Sequence, residues 1–270
     1  MTNNDSAIWA ALTNATVPST PSKLTKQYQD NVFERLVRRQ SLSARVEDST
    51  AGRVIPDFDQ LAIGEGKHFE HLAVLFLDIC NFSDLSNWET EDQKTVLKTL
   101  NIFMGEMLHI VRDFGGIFEK NTGDGLMAYF GEGAASDTEA AKAAVEAAVT
   151  MHYVNDNLLW YFLKNAGCSP VVFRVGIDTG PVTIAKVAIH GGTHGSAVAV
   201  GTIANVACKL MRLVPEGGIC VGERTYEILP YNWNTTCQRC DGSTGHVYRV
   251  SQQAYPGWKL NYRTPSIPIG

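Results

Sequence analysis

Residues 72–79 read LAVLFLDI, an unbroken apolar run with one acid, Asp78, near its end. A short run of this kind fits a strand buried on both faces. It opens a regular alternation of strand and helix patterns. Thr90-x-x-Gln93 has the spacing of a capping box. It is followed by Val96, Leu97, Leu100, Phe103, Met104, Met107, Leu108 and Val111, one helical face closed by Gly115-Gly116. Residues 117–130 read as strand, glycine turn, strand. Ser136-x-x-Glu139 opens an Ala-rich helix predicted to reach about Leu163. Residues 171–177 form a further strand, with 182–189 as its expected hairpin partner. A third helix is predicted over 201–213, a turn over 215–218 and a short strand over 219–221. The order β-α-β-β-α-β plus later elements predicts an α+β fold, a split βαβ sheet with helices on one face.

The first 66 residues read differently. Leu24, Tyr28, Val32 and Leu36 recur every four positions with Phe33 and Val37 beside them, a single helical stripe. Arg35, Arg38 and Arg39 crowd its end, where cations suit the helix dipole. Such a helix is expected to pack in a dimer or dock on the main domain. Residues 49–66 are irregular and read as a linker. The expected organisation is therefore a helical and linker region over 1–66, a main domain over 67–250 and a tail over 251–270.

Charge narrows the partners. The 270 residues carry 23 Lys and Arg against 28 Asp and Glu, a formal charge of −5. No basic excess is present to neutralise a nucleic-acid backbone, so nucleic acid is not an expected partner. No apolar run approaches the roughly 18 residues needed to span a bilayer, and MTNNDSAIWA lacks the basic-then-apolar order of a signal peptide. A soluble, cytoplasmic protein without a membrane partner is expected. The six cysteines are predicted to be free thiols. Only Cys237-x-x-Cys240 has a metal or redox spacing, and without a second pair a loop at the domain's end is preferred to a zinc site.

Two acids stand out. Asp78 closes the apolar strand, and Asp124 sits in the hairpin turn Asn121-Thr122-Gly123-Asp124-Gly125. In a split βαβ sheet the first strand is expected to pair beside the strand after the helix, and the ends of those neighbours would bring both acids together. Two neighbouring carboxylates repel, and divalent cations relieve that conflict while using the oxygens as hard ligands. Each acid also has a purely local reading, since Asp is common in Gly-flanked turns and at strand ends. After Asp78 come Ile79, Cys80, Asn81, Phe82 and Ser83. A strand ending there and turning into a helix would present several backbone N–H groups to a phosphate.

These segments resemble a known family. Phe76-Leu77-Asp78-Ile79-Cys80-Asn81-Phe82-Ser83 is similar to the F-x-D-I-x-x-F-[ST] segment of class III nucleotide cyclases. Gly123-Asp124 is similar to that family's second metal-binding turn. Val175-Gly176-Ile177-Asp178-Thr179-Gly180-Pro181-Val182 resembles its G-I-x-x-G-P-V segment. Residues 201–211, GTIANVACKLM, resemble its G-x-x-x-N-x-A-x-R-x-M helix, and Gly217-Gly218-Ile219-Cys220-Val221 resembles the turn and strand that follow.

The resemblance implies a ferredoxin-like, antiparallel-rich α+β domain that works as a head-to-tail homodimer with shared active sites. It implies two Mg²⁺ or Mn²⁺ ions per site on Asp78 and Asp124, with the Ile79 carbonyl as a further ligand. Asn205 from the second protomer would orient the ribose. Lys209 falls where the family has an arginine against the transition-state phosphate, keeping the charge without the two-pronged geometry. An ordinary polar helix face is the alternative for both residues.

The base pocket departs from the purine pattern. In purine-specific members Lys with Asp or Thr goes with adenine, and Glu with Cys goes with guanine. Here the two positions are Lys120 and Val198. Val198 cannot accept from adenine's amino group, and Lys120 cannot accept from guanine's amide edge. An unmet hydrogen bond there costs about 1–3 kcal/mol, about ten- to hundredfold in selectivity. The departure resembles the bacterial pyrimidine cyclases of Pycsar antiphage systems. It implies UTP or CTP as substrate, with a lean to UTP because Lys120 is a donor. It also implies a cyclic nucleotide read by a downstream effector. Lys186, His190 or His194 could touch the terminal phosphates, with solvent-facing histidines in a Gly-rich loop as the alternative; the family's basic residue near the final strand has no clear match here, Arg239 being the nearest. An adenylate cyclase with an atypical pocket and a catalytically weak pseudo-cyclase are the alternatives.

Overall fold

The computed structural model describes residues 21–41, 62, 64–82, 90–121, 124–189 and 194–262, with side chains omitted at some of these positions. The helices and strands are α1 (Lys26–Ser41), β1 (Gly66–Ile79), α2 (Thr90–Asp113), β2 (Gly116–Asn121), β3 (Gly125–Phe130) and α3 (Asp137–Val154). They continue with α4 (Trp160–Asn165), β4 (Phe173–Ile189), β5 (His194–Val200), α5 (Thr202–Leu210), β6 (Ile219–Gly222), α6 (Glu223–Ile228), α7 (Tyr231–Asn234), β7 (Cys237–Arg239) and β8 (Gly257–Leu260). The described strands form one mixed sheet of eight, ordered β2-β3-β1-β4-β6-β8-β7, with β5 paired to β4.

The buried run 72–79 is the sheet's centre. β1 pairs antiparallel with β3 on one side and β4 on the other. The period of two then sorts its side chains. Ala73, Leu75, Leu77 and Ile79 face a large core with Phe103, Met107 and Ile110 of α2 and Ala144, Val145 and Ala148 of α3. Leu72, Val74 and Phe76 face a second core with Ala204 and Ala207 of α5 and Met211. Helices therefore cover both faces, correcting the expected one-face arrangement. Gly176 of β4 permits the second layer, since a Cβ there would overlap the Ala207 carbonyl and crowd Met211.

Three further expectations change. Residues 173–189 are one continuous strand, β4, and the hairpin partner of its second half is β5 (Thr183↔Val200 to Ile189↔His194). The strand beside β1 is β3 rather than β2, which follows the helix but takes the sheet edge. Residues 257–260, in the stretch expected to be a tail, form β8 between β6 and β7. Four residues are too few to show a strand period, which is why this one is silent in the sequence.

The helix starts follow their caps. The Ser136 side chain accepts from the Glu139 N–H, and the Glu139 carboxylate accepts from the Ala135 N–H at 3.0 Å, one residue earlier than a strict box. The Thr90–Gln93 box lies outside the described side chains. The Ala-rich helix passes through a π-helical turn, Asn155–Leu159, into α4, so its expected end near Leu163 holds. On α1, Val32 and Leu36 are buried against the α2–α3 layer, and Phe33 and Val37 are exposed. Arg35 is clamped to the buried Glu106 of α2, with Nη2 donating to Oε1 at 2.5 Å. The stripe is thus a docked helix. Among the described residues no helix is long and apolar enough to cross a membrane.

Candidate active site

The two expected acids fall at the same end of the sheet. Asp78 is opposite Gly125 on β3 and opposite Arg174 on β4, so Asp124, the residue before Gly125, lies beside it. Both acids are half-buried. Alternation from the buried Leu77 and Ile79 points Asp78 to the α5 side of the sheet. On β4, Phe173, Val175 and Ile177 belong to the opposite core, so Arg174 and Gly176 share the Asp78 face. Arg174 donates from Nε and Nη2 to Asp78 Oδ2, at 3.2 and 3.0 Å.

The turn after Asp78 is narrower as a phosphate cradle than expected. The Cys80 N–H donates to the Val172 carbonyl at 2.8 Å, which removes it from the set of free donors. Asn81 then takes a left-handed conformation, φ 55°, and its side-chain amide donates to Glu216 at 2.7 Å. The N–H groups of Asn81 and Phe82 remain as candidates for the expected phosphate cradle. Ile79 closes β1 with its side chain buried, and Ser83 lies outside the described residues.

Asn205 and Lys209 are four residues apart on α5, one turn of one face, and both are exposed. Their neighbours Ala204, Val206, Ala207 and Leu210 are buried. The helix thus clamps its apolar side to the sheet and turns the two polar residues outward, which suits a group offered to another molecule as well as it suits a solvated face.

Lys120 and Val198 sit at different levels of the sheet. Lys120 pairs with Met127, itself opposite Phe76, near the Asp78 end. Val198 pairs with Ala185, itself opposite Gly66, at the far end of β1, and is exposed. The Lys120 side chain, His190 and the His194 side chain lie outside the described residues. Lys186 is on β4 in the hairpin with β5, and Arg239 is exposed on β7. All six cysteines are free. Cys240 lies 3.8 Å from Cys220, sulfur to sulfur, and no cluster of three metal-ligating residues occurs among the described residues.

Two residues without an assigned role in the sequence reading belong to this face. One is Arg174. The other is Asp178, buried beside Gly222, accepting from Tyr255 Oη at 2.9 Å and Thr225 Oγ1 at 3.5 Å. Burial pushes its carboxyl up to about 7 against the pull of these hydrogen bonds. Both residues follow β4's alternation in the sequence, but their partners on β1, α6 and the loop before β8 are long-range.

The family described as the adenylate and guanylate cyclase catalytic domain matches residues 65–244. The chain belongs to this family of class III nucleotide cyclases. Among curated relatives it is similar to a cytidylate cyclase of Staphylococcus aureus, 27% identical over 177 residues, 64% of this chain and 40% of that protein. The chain thus spans less than half the length of that relative. It is also similar to a uridylate cyclase of Gulbenkiania mobilis, 28% identical over 207 residues, 72% of this chain and 78% of that one. Among solved structures, the adenylyl cyclase CyaB of P. aeruginosa superposes with TM-score 0.60 at 23% identity, covering 76% of this chain and all of the other. The catalytic core of a rhodopsin-guanylyl cyclase with converted specificity gives 0.59 at 22%, covering 74% and 99%. At such identities the likeness is one of fold, and the expected cyclase fold is the one observed.

Proposed function

We propose that the chain is a pyrimidine nucleotide cyclase that converts UTP or CTP to the 3′,5′-cyclic monophosphate and pyrophosphate, with UTP preferred. The observation that carries this reading is the likeness to two curated relatives named as cytidylate and uridylate cyclases. The absence of either purine pair at Lys120 and Val198 in the sequence is in keeping with it.

The donor set fits hard divalent cations. Asp78 and Asp124 supply carboxylate oxygens on adjacent strands, with the Ile79 carbonyl beside them, and Mg²⁺ or Mn²⁺ prefers such ligands. Two cations bound there would lower the pKa of the ribose 3′-hydroxyl and offset charge on the α-phosphate. The backbone donors of Asn81 and Phe82 hold the phosphates. Asn205 of a second protomer fixes the ribose so that the 3′-oxygen lies in line with the α-phosphorus, and Lys209 balances charge there. The 3′-oxygen bonds to the α-phosphorus, the bond to the bridging oxygen breaks, pyrophosphate leaves and the hydroxyl proton passes to solvent. The product is a second messenger for a cyclic-nucleotide effector in antiphage defence.

The test is incubation of the purified protein with each of the four ribonucleoside triphosphates and Mn²⁺, with cyclic products identified by mass spectrometry. Cyclic UMP or cyclic CMP should dominate. Preferential turnover of ATP or GTP overturns the pyrimidine reading, and tight binding without turnover makes the chain a nucleotide-binding module.

A further inference from the structure

We infer that the cavity between the end of α3 and the start of β4 is a second ligand site, built for a planar nitrogen heterocycle with an N–H donor beside an acceptor on one edge.

The cavity measures about 320 Å³, at the lower end of the range for small-molecule sites. His152, Asn155 and Trp160 line it from the helix side, and Val171, Val172 and Phe173 from the sheet side. It lies apart from the catalytic face. Phe173 belongs to the core on the α2–α3 side of the sheet, whereas Asp78 points to the α5 side.

Two of the lining side chains carry a polar atom without a partner. At Asn155 the helix passes into its π-helical turn, an irregularity that recurs at functional sites. The Asn155 side chain is fixed there, because Nδ2 donates to the Val171 carbonyl at 3.0 Å and to Asp156 Oδ1 at 3.1 Å. Both partners are acceptors, so the amide cannot be turned over. Its Oδ1 is left as an acceptor with no hydrogen-bond partner among the described residues. His152 is three residues earlier, on the same side of the helix. Its ring is held by stacking on Phe173, 4.1 Å between centroids, and its Nε2 also lacks a partner. Burial keeps the imidazole neutral, pushing it down to about 3. The two residues are only 3% and 8% exposed, and buried polar groups left unpaired destabilise a fold.

With the proton on Nε2, the pair presents one donor beside one acceptor. A lactam or amidine edge is the complement, its N–H donating to Asn155 Oδ1 and its carbonyl or ring nitrogen accepting from His152. Val172, Phe173 and Trp160 supply apolar surface for the ring. Trp160 is 46% exposed, so its side chain can give way as a ligand settles.

The pair 1-methyluracil and 1,3-dimethyluracil tests the inference, since the second lacks the N3–H donor. Titrations of the full chain are read by saturation-transfer nuclear magnetic resonance. The wild type should bind 1-methyluracil at least about tenfold more tightly than the dimethyl compound, as expected for one unmet buried hydrogen bond. His152→Phe keeps a ring on Phe173 and removes Nε2, and should weaken 1-methyluracil about tenfold. Trp160→Ala should weaken it as well, and carries the expectation alone if His152→Phe melts early. A wild type that binds neither compound, or both equally, overturns the inference. So does binding that survives in both variants, which would place the base elsewhere, the catalytic pocket included.

Discussion

Asp78 and Asp178 are both acids on one face of neighbouring central strands, yet their environments assign them different work. Asp78 is half-exposed and ion-paired at the sheet's end, whereas Asp178 is sealed in. For Asp78 and Asp124 the expected outcome of Asn substitution is loss of cyclic product by at least about a hundredfold with an unchanged circular dichroism spectrum, because a neutral amide is a poor hard-cation ligand. For Asp178 the readout is stability. Its folded pKa of about 7 is above the unfolded value near 3.8, so the folded state binds the proton more tightly. Its contribution is full below about pH 4 and lost as pH rises through about 7. Asp178→Asn should flatten that slope in urea titrations between pH 4 and 8, and an unchanged slope would assign it to another group. The thiols make a separate test. The hydrogen bond with Cys220 lowers Cys240 to about 7, and raises Cys220. Limited iodoacetamide at pH 7.5 should therefore label Cys240 well before Cys220, as peptide mass spectrometry would show.

Helix α5 holds its place through a missing side chain. Gly176→Ala would push a methyl group into the Ala207 carbonyl, and overpacking of this kind costs about 1–3 kcal/mol. Activity should fall further than stability does, because the displaced element carries Asn205 and Lys209. A calorimetric scan beside a turnover assay separates the two effects. At α1 the burden is electrostatic. Arg35→Ala would remove the guanidinium clamp from the buried Glu106, a loss of about 1.5–3 kcal/mol for hydrogen bonding between charged groups. These elements also show what was legible beforehand. The apolar run of β1, the heptad-like face of α2 and the capping residues of α3 each announce themselves through local period or chemistry. The motif order 76–83, 123–124, 175–182 and 201–211 assigns both acids to one expected site, and the register of β1 with β3 puts them at the same end of the sheet. The continuous β4, the strand β8 and the grip of Arg174 on Asp78 were silent, because each is decided by pairing across many residues. Gly176 was visible within its motif, but not the layer of helix it admits.

At the scale of the whole molecule, the carboxylates sit at one end of the sheet while Asn205 and Lys209 project outward from α5. If each site draws acids from one protomer and α5 from the other, two defective chains can repair one another. Mixing Asp78→Asn with Asn205→Ala should restore about a quarter of wild-type activity per chain, since one of the two sites in half of the dimers is intact when exchange is random. A mixture as inactive as either parent places all four groups in a single chain's site. Under that shared-site arrangement the outward pair would have a consequence for dosage as well. A catalyst assembled only on encounter loses output per copy as copies become scarce. At concentrations well below the dimer's dissociation constant, total output scales with the square of abundance. A cell holding few chains would then be nearly silent, and a modest rise in synthesis would act as a threshold.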